Sequence, residues 1–391
     1  MRPATLAVHA GREDFEELGV HAAPLDLSST YPIPDLDEGT ASLDALAGGD
    51  ENAPNAVYSR LRNPTVARFE QALALLEGTE TSVAFASGMA AMTACLLAAR
   101  MRGGHVVAVR PLYGGTDHLL ATGMLGLEVT WATVDTVRES CRDDTSLVVI
   151  ETPANPTCEL VDIAEVVRQA GDIPVLVDST FATPVLQRPV EQGAAMVLHS
   201  ATKFLGGHGD VLAGVVATSE EHAHSLRQVR ILTGGVLHPL GGYLLHRGLA
   251  TLPVRVLHAQ ATTQLIAGRL AGHPAVLRTY YAGLPGGDPR GLIGRQMDGA
   301  GAVLAFDVAG GYDAAVRFLD ALQLITVAVS LGSVDTLIQH PAGLTHRVIE
   351  QEARTSSGIG PGMLRLSVGL EDVDDLWEDL ERGLRAAANR D

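Results

Sequence analysis

Lysine is almost missing from this 391-residue sequence: the 28 basic residues include a single lysine, Lys203, and are otherwise arginine. Cysteine is scarce too. Cys95, Cys141 and Cys158 are odd in number, widely spaced and without a CxxC pair, which argues against a disulfide framework and a zinc site and favours a reducing compartment. Positive charge is in deficit, with 28 basic against 46 acidic residues and a net charge of −18. Broad electrostatic binding to nucleic acid or to an anionic membrane is therefore not expected, and any anion must be captured locally. No run of about 18 apolar residues is free of charges and turn formers, so a membrane span is not supported. The opening MRPATLAVHAGREDF lacks the apolar stretch of a signal peptide. These absences leave the expectation of a cytoplasmic globular protein with no metal, nucleic-acid or membrane partner.

The hydrophobic share, 46%, suffices for a sizeable core. The length suits two or three domains, or one large core with a smaller lobe. Residues 1–60 lack sustained periodicity and read as an extended arm with a loop. A helix signal follows: Asn63 as N-cap, Pro64 at the first position, apolar Val66, Phe69, Leu73 and Leu76, and Gly78 as the stop. Short apolar runs at 82–86, 105–109, 127–131, 147–150, 175–178, 196–199 and 212–217 then alternate with helical stretches such as 163–170. Several runs are continuous rather than alternating, as in strands buried on both faces of a parallel sheet. The predicted fold is α/β, doubly wound, with a mainly parallel sheet. Past Pro253 a long helical stretch (254–270), a Gly-rich segment and a second cycle of strands (303–308, 364–368) and helices (near 314–322, and from 373) read as a smaller α+β lobe. The expected division is an arm (1–60), a large domain (61–255) and a C-terminal domain (256–391).

The solitary lysine sits in His199-Ser-Ala-Thr-Lys203. Drift from Lys to Arg explains the other positions but not the one survivor. A lysine amine of lowered pKa can form an imine, which a permanently protonated guanidinium cannot. Val175-Leu-Val-Asp178 puts a carboxylate at the C-terminal end of a buried strand, where open α/β sheets build ligand sites. Phe85-Ala-Ser-Gly-Met89 reads as a strand, a tight turn and a helix start, whose free N–H groups make an anion pocket. Taken singly, the Asp could be a helix cap and the Ser-Gly a plain turn. Together, a lysine, a strand-end carboxylate, a phosphate cradle and flanking hydroxyls meet the needs of pyridoxal 5'-phosphate (PLP). A dinucleotide-binding oxidoreductase would need GxGxxG after an early strand, and Ser87-Gly88-Met89-Ala90 does not supply it.

These residues resemble the Cys/Met-metabolism family of PLP enzymes, the trans-sulfuration group of cystathionine γ-synthase, cystathionine γ-lyase, methionine γ-lyase and the homoserine sulfhydrylases. The matching stretches are Tyr58-Ser-Arg60 with Asn63-Pro-Thr65, Ala86-Ser-Gly-Met-Ala90, Tyr113-Gly-Gly115, Glu151-Thr-Pro-Ala-Asn-Pro156, Val177-Asp178, His199 to Lys203, Ser330-Leu-Gly332, His340-Pro-Ala342 and Leu364-Arg-Leu-Ser-Val-Gly369. The resemblance implies a fold-type I enzyme, usually a tetramer of close dimers. It gives Lys203 the imine with PLP and Asp178 the pyridine nitrogen. Ser87, Gly88, Met89, Ser200 and Thr202 would hold the phosphate, with Tyr58 and Arg60 reaching in from a neighbouring subunit. Tyr113 would stack on the ring and move protons. Arg365, with Asn155 and Ser330, would grip the substrate carboxylate. Cys158 is expected to be a packed thiol.

The resemblance leaves two reactions open: γ-elimination from a sulfur amino acid to a 2-oxo acid, ammonia and a thiol, or γ-replacement joining an activated homoserine to a thiol. Val329 stands where cystathionine-handling members commonly carry Glu, which leans toward methionine γ-lyase and the sulfhydrylases. Gly115, where those lyases typically carry Cys, and Arg230-Ile231, where they carry Lys-Asp, lean away from methionine γ-lyase. The reading favours the C–S γ-lyase.

Overall fold

Asn63 starts the first long helix of the large sheet's surroundings by accepting from the N–H groups of Thr65 (3.0 Å) and Val66 (3.2 Å). Pro64 fills a first-turn position that needs no N–H donor, and Gly78 ends the helix with φ 75°. This helix, Pro64–Glu77, buries Val66, Phe69, Leu73 and Leu76, the residues its periodicity picks out. The computed structural model describes residues 1–345, 347 and 358–389, and its strands form two sheets.

The first sheet contains β1 (Thr81–Phe85), β2 (His105–Val109), β3 (Glu128–Ala132), β4 (Thr145–Glu151), β5 (Val175–Asp178), β6 (Met196–His199) and β7 (Gly214–Thr218) in the order β1-β7-β6-β5-β4-β2-β3. Strand β7 pairs antiparallel with both β1 and β6, and the remaining pairings are parallel. Alternate residues of β2 and β4 feed two different cores. Val106, Ala108, Leu147 and Val149 pack with the helices Gly88–Arg100 and Glu220–Thr233, whereas Val107, Val109, Val148 and Ile150 pack with the helix Ile163–Ala170. Burial on both faces is why these strands read as unbroken apolar runs.

The second sheet contains β8 (Val276–Tyr280), β9 (Val303–Val308), β10 (Thr326–Val327), β11 (Leu337–Gln339) and β12 (Met363–Ser367) in the order β10-β11-β12-β9-β8. Its pairings are antiparallel apart from β10 with β11. Helices Gly311–Asp320 and Val373–Ala388 cover it through Phe306, Phe318, Leu376 and Leu380. One apolar core runs from Phe69 and Leu73 beside the first sheet to Phe306 and Leu380 beside the second. The helix Leu252–Ala271 passes through the expected 255/256 boundary without a break.

Residues 1–60 differ from the extended arm expected of them, since they include helices Pro3–His9 and Leu36–Gly48. The second is set by its cap: Asp35 accepts from the Glu38 N–H at 2.9 Å. It buries Gly39, Ser42 and Leu46 alone, so no apolar stripe announces it. Among the described residues no helix is long and apolar enough to cross a membrane.

Candidate active site

The C-terminal ends of the parallel strands converge on one cavity, the position where open α/β sheets bind ligands. Ser87, Gly88, Met89, Tyr113, Asn155, Asp178, Ser200, Thr202, Lys203 and Arg365 all line it. They arrive from the ends of β1, β2, β4, β5 and β6 and, for Arg365, from β12 of the second sheet.

Beyond β1, Ser87 caps the helix Gly88–Arg100, its Oγ accepting from the Ala90 N–H at 3.1 Å. The first-turn N–H groups and the helix dipole face the cavity with partial positive charge. Space is tight here. A Cβ on Gly88 would lie 3.0 Å from Ser200 Cβ and 3.1 Å from its Oγ, so the glycine allows a close backbone approach. Ser200 is oriented in turn by its N–H donating to Thr180 Oγ1 at 2.9 Å. The Thr202 hydroxyl exchanges hydrogen bonds with Ala213, donating to its carbonyl (3.1 Å) and accepting from its N–H (2.9 Å).

Asp178 ends β5. Its Oδ1 accepts from both the N–H and the hydroxyl of Thr180. Burial raises its pKa, and the two Thr180 bonds oppose that rise by favouring the charged form. One strand away, Glu151 ends β4 in register with Asp178. Burial, followed by the charge of Asp178, raises the Glu151 pKa well above the usual carboxylate range.

Lys203 is largely enclosed, and its Nζ donates to Ser330 Oγ at 2.9 Å. Burial, reinforced by the charge of Arg365, brings its pKa down to about 8. The amine is thus poised to lose its proton near neutrality. Arg365 sits mid-strand on β12 at 2% exposure, paired across to Gln339 of β11 and Ala305 of β9. Its Nη1 donates to Asn155 Oδ1 (3.0 Å) and its Nη2 to the Ser330 carbonyl (2.8 Å). With its amide oxygen facing the guanidinium, Gln339 accepts from both Nη atoms at 3.1 Å. Burial brings the Arg365 pKa down to about 10.

Tyr58 and Arg60 do not line this cavity. Arg60 lies against the Tyr58 ring, 5.4 Å from its centroid, and donates to the Ile231 carbonyl at 3.0 Å. The neighbouring Arg230 pairs with Glu70 at 2.6 Å. Cys158 is buried, donates to the Val303 carbonyl at 3.3 Å, and is pushed up by burial to about 12. It is a packed thiol rather than a nucleophile. Gly115 keeps clear of the tyrosine, since a Cβ there would lie 2.6 Å from the Tyr113 ring and 3.2 Å from Met89 Sδ.

Sequence reasoning gave no role to Thr180 or Glu151. Thr180 stands two residues past the strand-end Asp, where an Asx-type turn is common. Glu151 closes a strand next to Asp178, and a second strand-end acid beside the first was the available signal.

A cradle that a Cβ would crowd, facing an amine that sheds its proton near pH 8, fits a phosphate-bearing aldehyde cofactor, with Asp178 suited to its ring nitrogen. Fold and site together define a PLP-dependent enzyme of fold type I. The chain belongs to the Cys/Met metabolism PLP-dependent enzyme family, whose family model matches residues 4–385. It is 56% identical over 390 residues to an L-methionine gamma-lyase of Brevibacterium sandarakinum, covering 99% of this chain and 98% of that one. Among solved structures it is similar to a cystathionine gamma-lyase (CalE6) of Micromonospora echinospora, with 38% identity, TM-score 0.88, and 98% and 99% of the two chains covered. It is also similar to cystathionine gamma synthase of Xanthomonas oryzae pv. oryzae in complex with cystathionine, with 34% identity, TM-score 0.91, and 99% and 98% covered.

Proposed function

We propose that this enzyme performs γ-elimination on a sulfur amino acid, methionine foremost, giving 2-oxobutyrate, ammonia and a thiol. The observation that carries the reading is the convergence of Lys203, Asp178 and Arg365 on one cavity. The 56% identity to a methionine gamma-lyase over almost the full length supports the choice of substrate. Val329 lines the same cavity and offers an apolar surface to a thioether, with no carboxylate at that position to receive a second amino group.

When bound, PLP supplies the aldehyde that captures the substrate amine and a ring that accepts the electron pair left at Cα. The chain's own residues do the rest. Arg365 holds the α-carboxylate through its planar fork, with Asn155 and Ser330 fixing the fork's orientation. Lys203 Nζ removes the Cα proton and then moves a proton at Cβ, tasks suited to an amine with a pKa near the working pH. Tyr113 lines the cavity and would stack on the cofactor ring, where its phenol, or a water, would donate a proton to the departing sulfur. The Asp178 carboxylate keeps the ring nitrogen protonated. Ser87, Gly88, Met89 and Ser200 bind phosphate, and Thr202 joins them by turning its hydroxyl proton away from the Ala213 carbonyl.

Tyr58 and Arg60 complete the phosphate site of a second copy, in a homotetramer of close dimers in the cytoplasm. Their place outside this protomer's own cavity supports that assignment. Residues 1–60 then act as the exchanged arm, 61–255 as the cofactor-binding domain and 256–391 as the C-terminal domain.

The test is a panel of γ-substituted amino acids, with oxo-acid release measured with and without added thiol. Elimination releases 2-oxobutyrate from methionine with no thiol present. The similarity to cystathionine gamma synthase sets the rival outcome, γ-replacement on an activated homoserine, and a thioether amino acid formed when a thiol is supplied, with no oxo acid released in its absence, would establish it instead.

A further inference from the structure

Glu151 is buried at the cavity wall, and it meets no side-chain cation at hydrogen-bonding distance among the described residues. What it meets are two backbone amides. Its Oε2 accepts from the Tyr113 N–H at 2.7 Å and its Oε1 from the Asn155 N–H at 2.8 Å. These amides belong to different loops, one following β2 and the other following β4. Tyr113 begins the helix Gly114–Ala121, yet its own side chain forms no cap bond there. Asn155 in turn accepts from Arg365 at 3.0 Å. A single chain of hydrogen bonds therefore runs from the Arg365 guanidinium through Asn155 and Glu151 to the backbone of Tyr113.

We propose that Glu151 is a positioning residue that fixes the distance between the phenol of Tyr113 and the carboxylate grip of Arg365 and Asn155. The inference rests on the roles given to Tyr113 and Arg365 in the proposed function. The acid is needed because of its acceptor count. A carboxyl group has two oxygens with acceptor lone pairs and can satisfy both amides at once. A glutamine in its place would keep one acceptor and turn an NH2 donor toward the other N–H. An aspartate would keep the carboxyl group but fall short of spanning both loops. A misplacement of this kind near the reacting atoms costs rate out of proportion to its size. Burial, then the nearby Asp178, raise the Glu151 pKa well above the usual carboxylate range against the pull of the two amide bonds, and the bridge itself rests on the two oxygens rather than on charge.

The experiment compares E151Q, E151D, Y113F and the double variant E151Q/Y113F as PLP-loaded enzymes. Oxo-acid release gives kcat and KM, and the visible circular dichroism of the bound cofactor reports ring geometry independently of turnover. We expect E151Q to retain stoichiometric PLP, to change the dichroic band and to lose about tenfold in kcat, the scale of one buried N–H left without its acceptor. Y113F should be impaired on its own, and adding E151Q to it should slow it by no more than about twofold, because coupled residues are not additive. E151D should fall on the impaired side, close to E151Q. Wild-type kcat and dichroism in E151Q, or full additivity in the double variant, overturn the proposal. Wild-type kcat in Y113F overturns the role of Tyr113 and this proposal together, whereas an impaired Y113F beside an unimpaired E151Q overturns the Glu151 assignment alone. Should E151Q fail to fold, amide exchange in the unaltered holoenzyme decides: slow exchange of the Tyr113 and Asn155 protons supports the bridge, and fast exchange at either removes it.

Discussion

The Nζ of Lys203 rests 2.9 Å from the Oγ of Ser330, a contact across 127 residues of sequence that ties a loop of the first sheet to the one joining β10 and β11 of the second. The hydroxyl accepts from the protonated amine and so holds that form against the burial that disfavours it. Condensation with PLP needs the neutral amine, and with a pKa of about 8 that form is about a tenth of the whole at pH 7. The rate at which cofactor-free protein takes up PLP should rise about tenfold per pH unit below that value and level off above it. Ser330→Ala removes an acceptor of the charged form, lowers the lysine pKa further and should move the plateau to lower pH. Stopped-flow absorbance across pH 6–10 reads both curves, and a plateau that stays put in the variant would refute the coupling.

Arg365→Lys replaces a planar fork with a point charge. Its three partners, Asn155, the Ser330 carbonyl and Gln339, are arranged for the fork. We expect KM for methionine to rise by about tenfold or more, with a smaller effect on kcat, because binding of the carboxylate is common to ground and transition states. Steady-state kinetics check this, and an unchanged KM would place the carboxylate elsewhere.

Gly88→Ala sets a methyl group 3.0–3.1 Å from Ser200. Ser200 cannot withdraw freely while its N–H is held by Thr180. Equilibrium dialysis should show PLP bound about tenfold more weakly, in line with an overpacking cost of about 1–3 kcal/mol. Arg60→Ala should also loosen PLP, although Arg60 lies outside this protomer's cavity, and full retention would count against exchange of the arm.

His199 and Glu77 form a buried pair at 2.6 Å, at 1% and 0% side-chain exposure, with His199 Nδ1 and Glu77 Oε2 unpartnered. Glu77→Ala leaves the histidine without its acceptor and should cost about 3 kcal/mol in urea unfolding. Glu77→Gln keeps a carbonyl for the ring N–H and should cost distinctly less. Equal losses in the two variants would mean that packing alone matters at this site.

Cys158, pushed up by burial to about 12, should resist iodoacetamide at pH 8 in the folded enzyme and react once the protein is unfolded. Mass spectrometry of the labelled peptides distinguishes the two. Ready labelling in the folded state would contradict its burial.

Much of the first sheet can be read directly from the chain. Strands β5 and β6 and the helix Ile163–Ala170 lie within the ranges their apolar patterns give, because burial on one or both faces writes itself into composition. The second sheet is harder. Strand β8 has no fully buried residue, and β10 spans two exposed positions, so neither leaves an apolar signature. The helix Glu220–Thr233 hides its inner face behind Arg227 and Arg230, cations buried against Glu220 and Glu70. The site divides similarly. Lys203 is marked by its rarity and Asp178 by its strand end, but nothing local marks Glu151 as the acceptor for two amides in separate loops. Such contacts are products of the folded topology.

Arg365 projects from the middle of a paired strand rather than from a loop, with neighbours hydrogen-bonded on either side. In the function proposed above, the carboxylate end of the amino-acid substrate would thereby be moored to a strand paired on both sides in the smaller sheet. The far end meets a residue of another kind: Val329 lines the cavity from the segment that joins β10 to β11. Diversification of the departing group can proceed there by single substitutions, leaving the mooring point untouched.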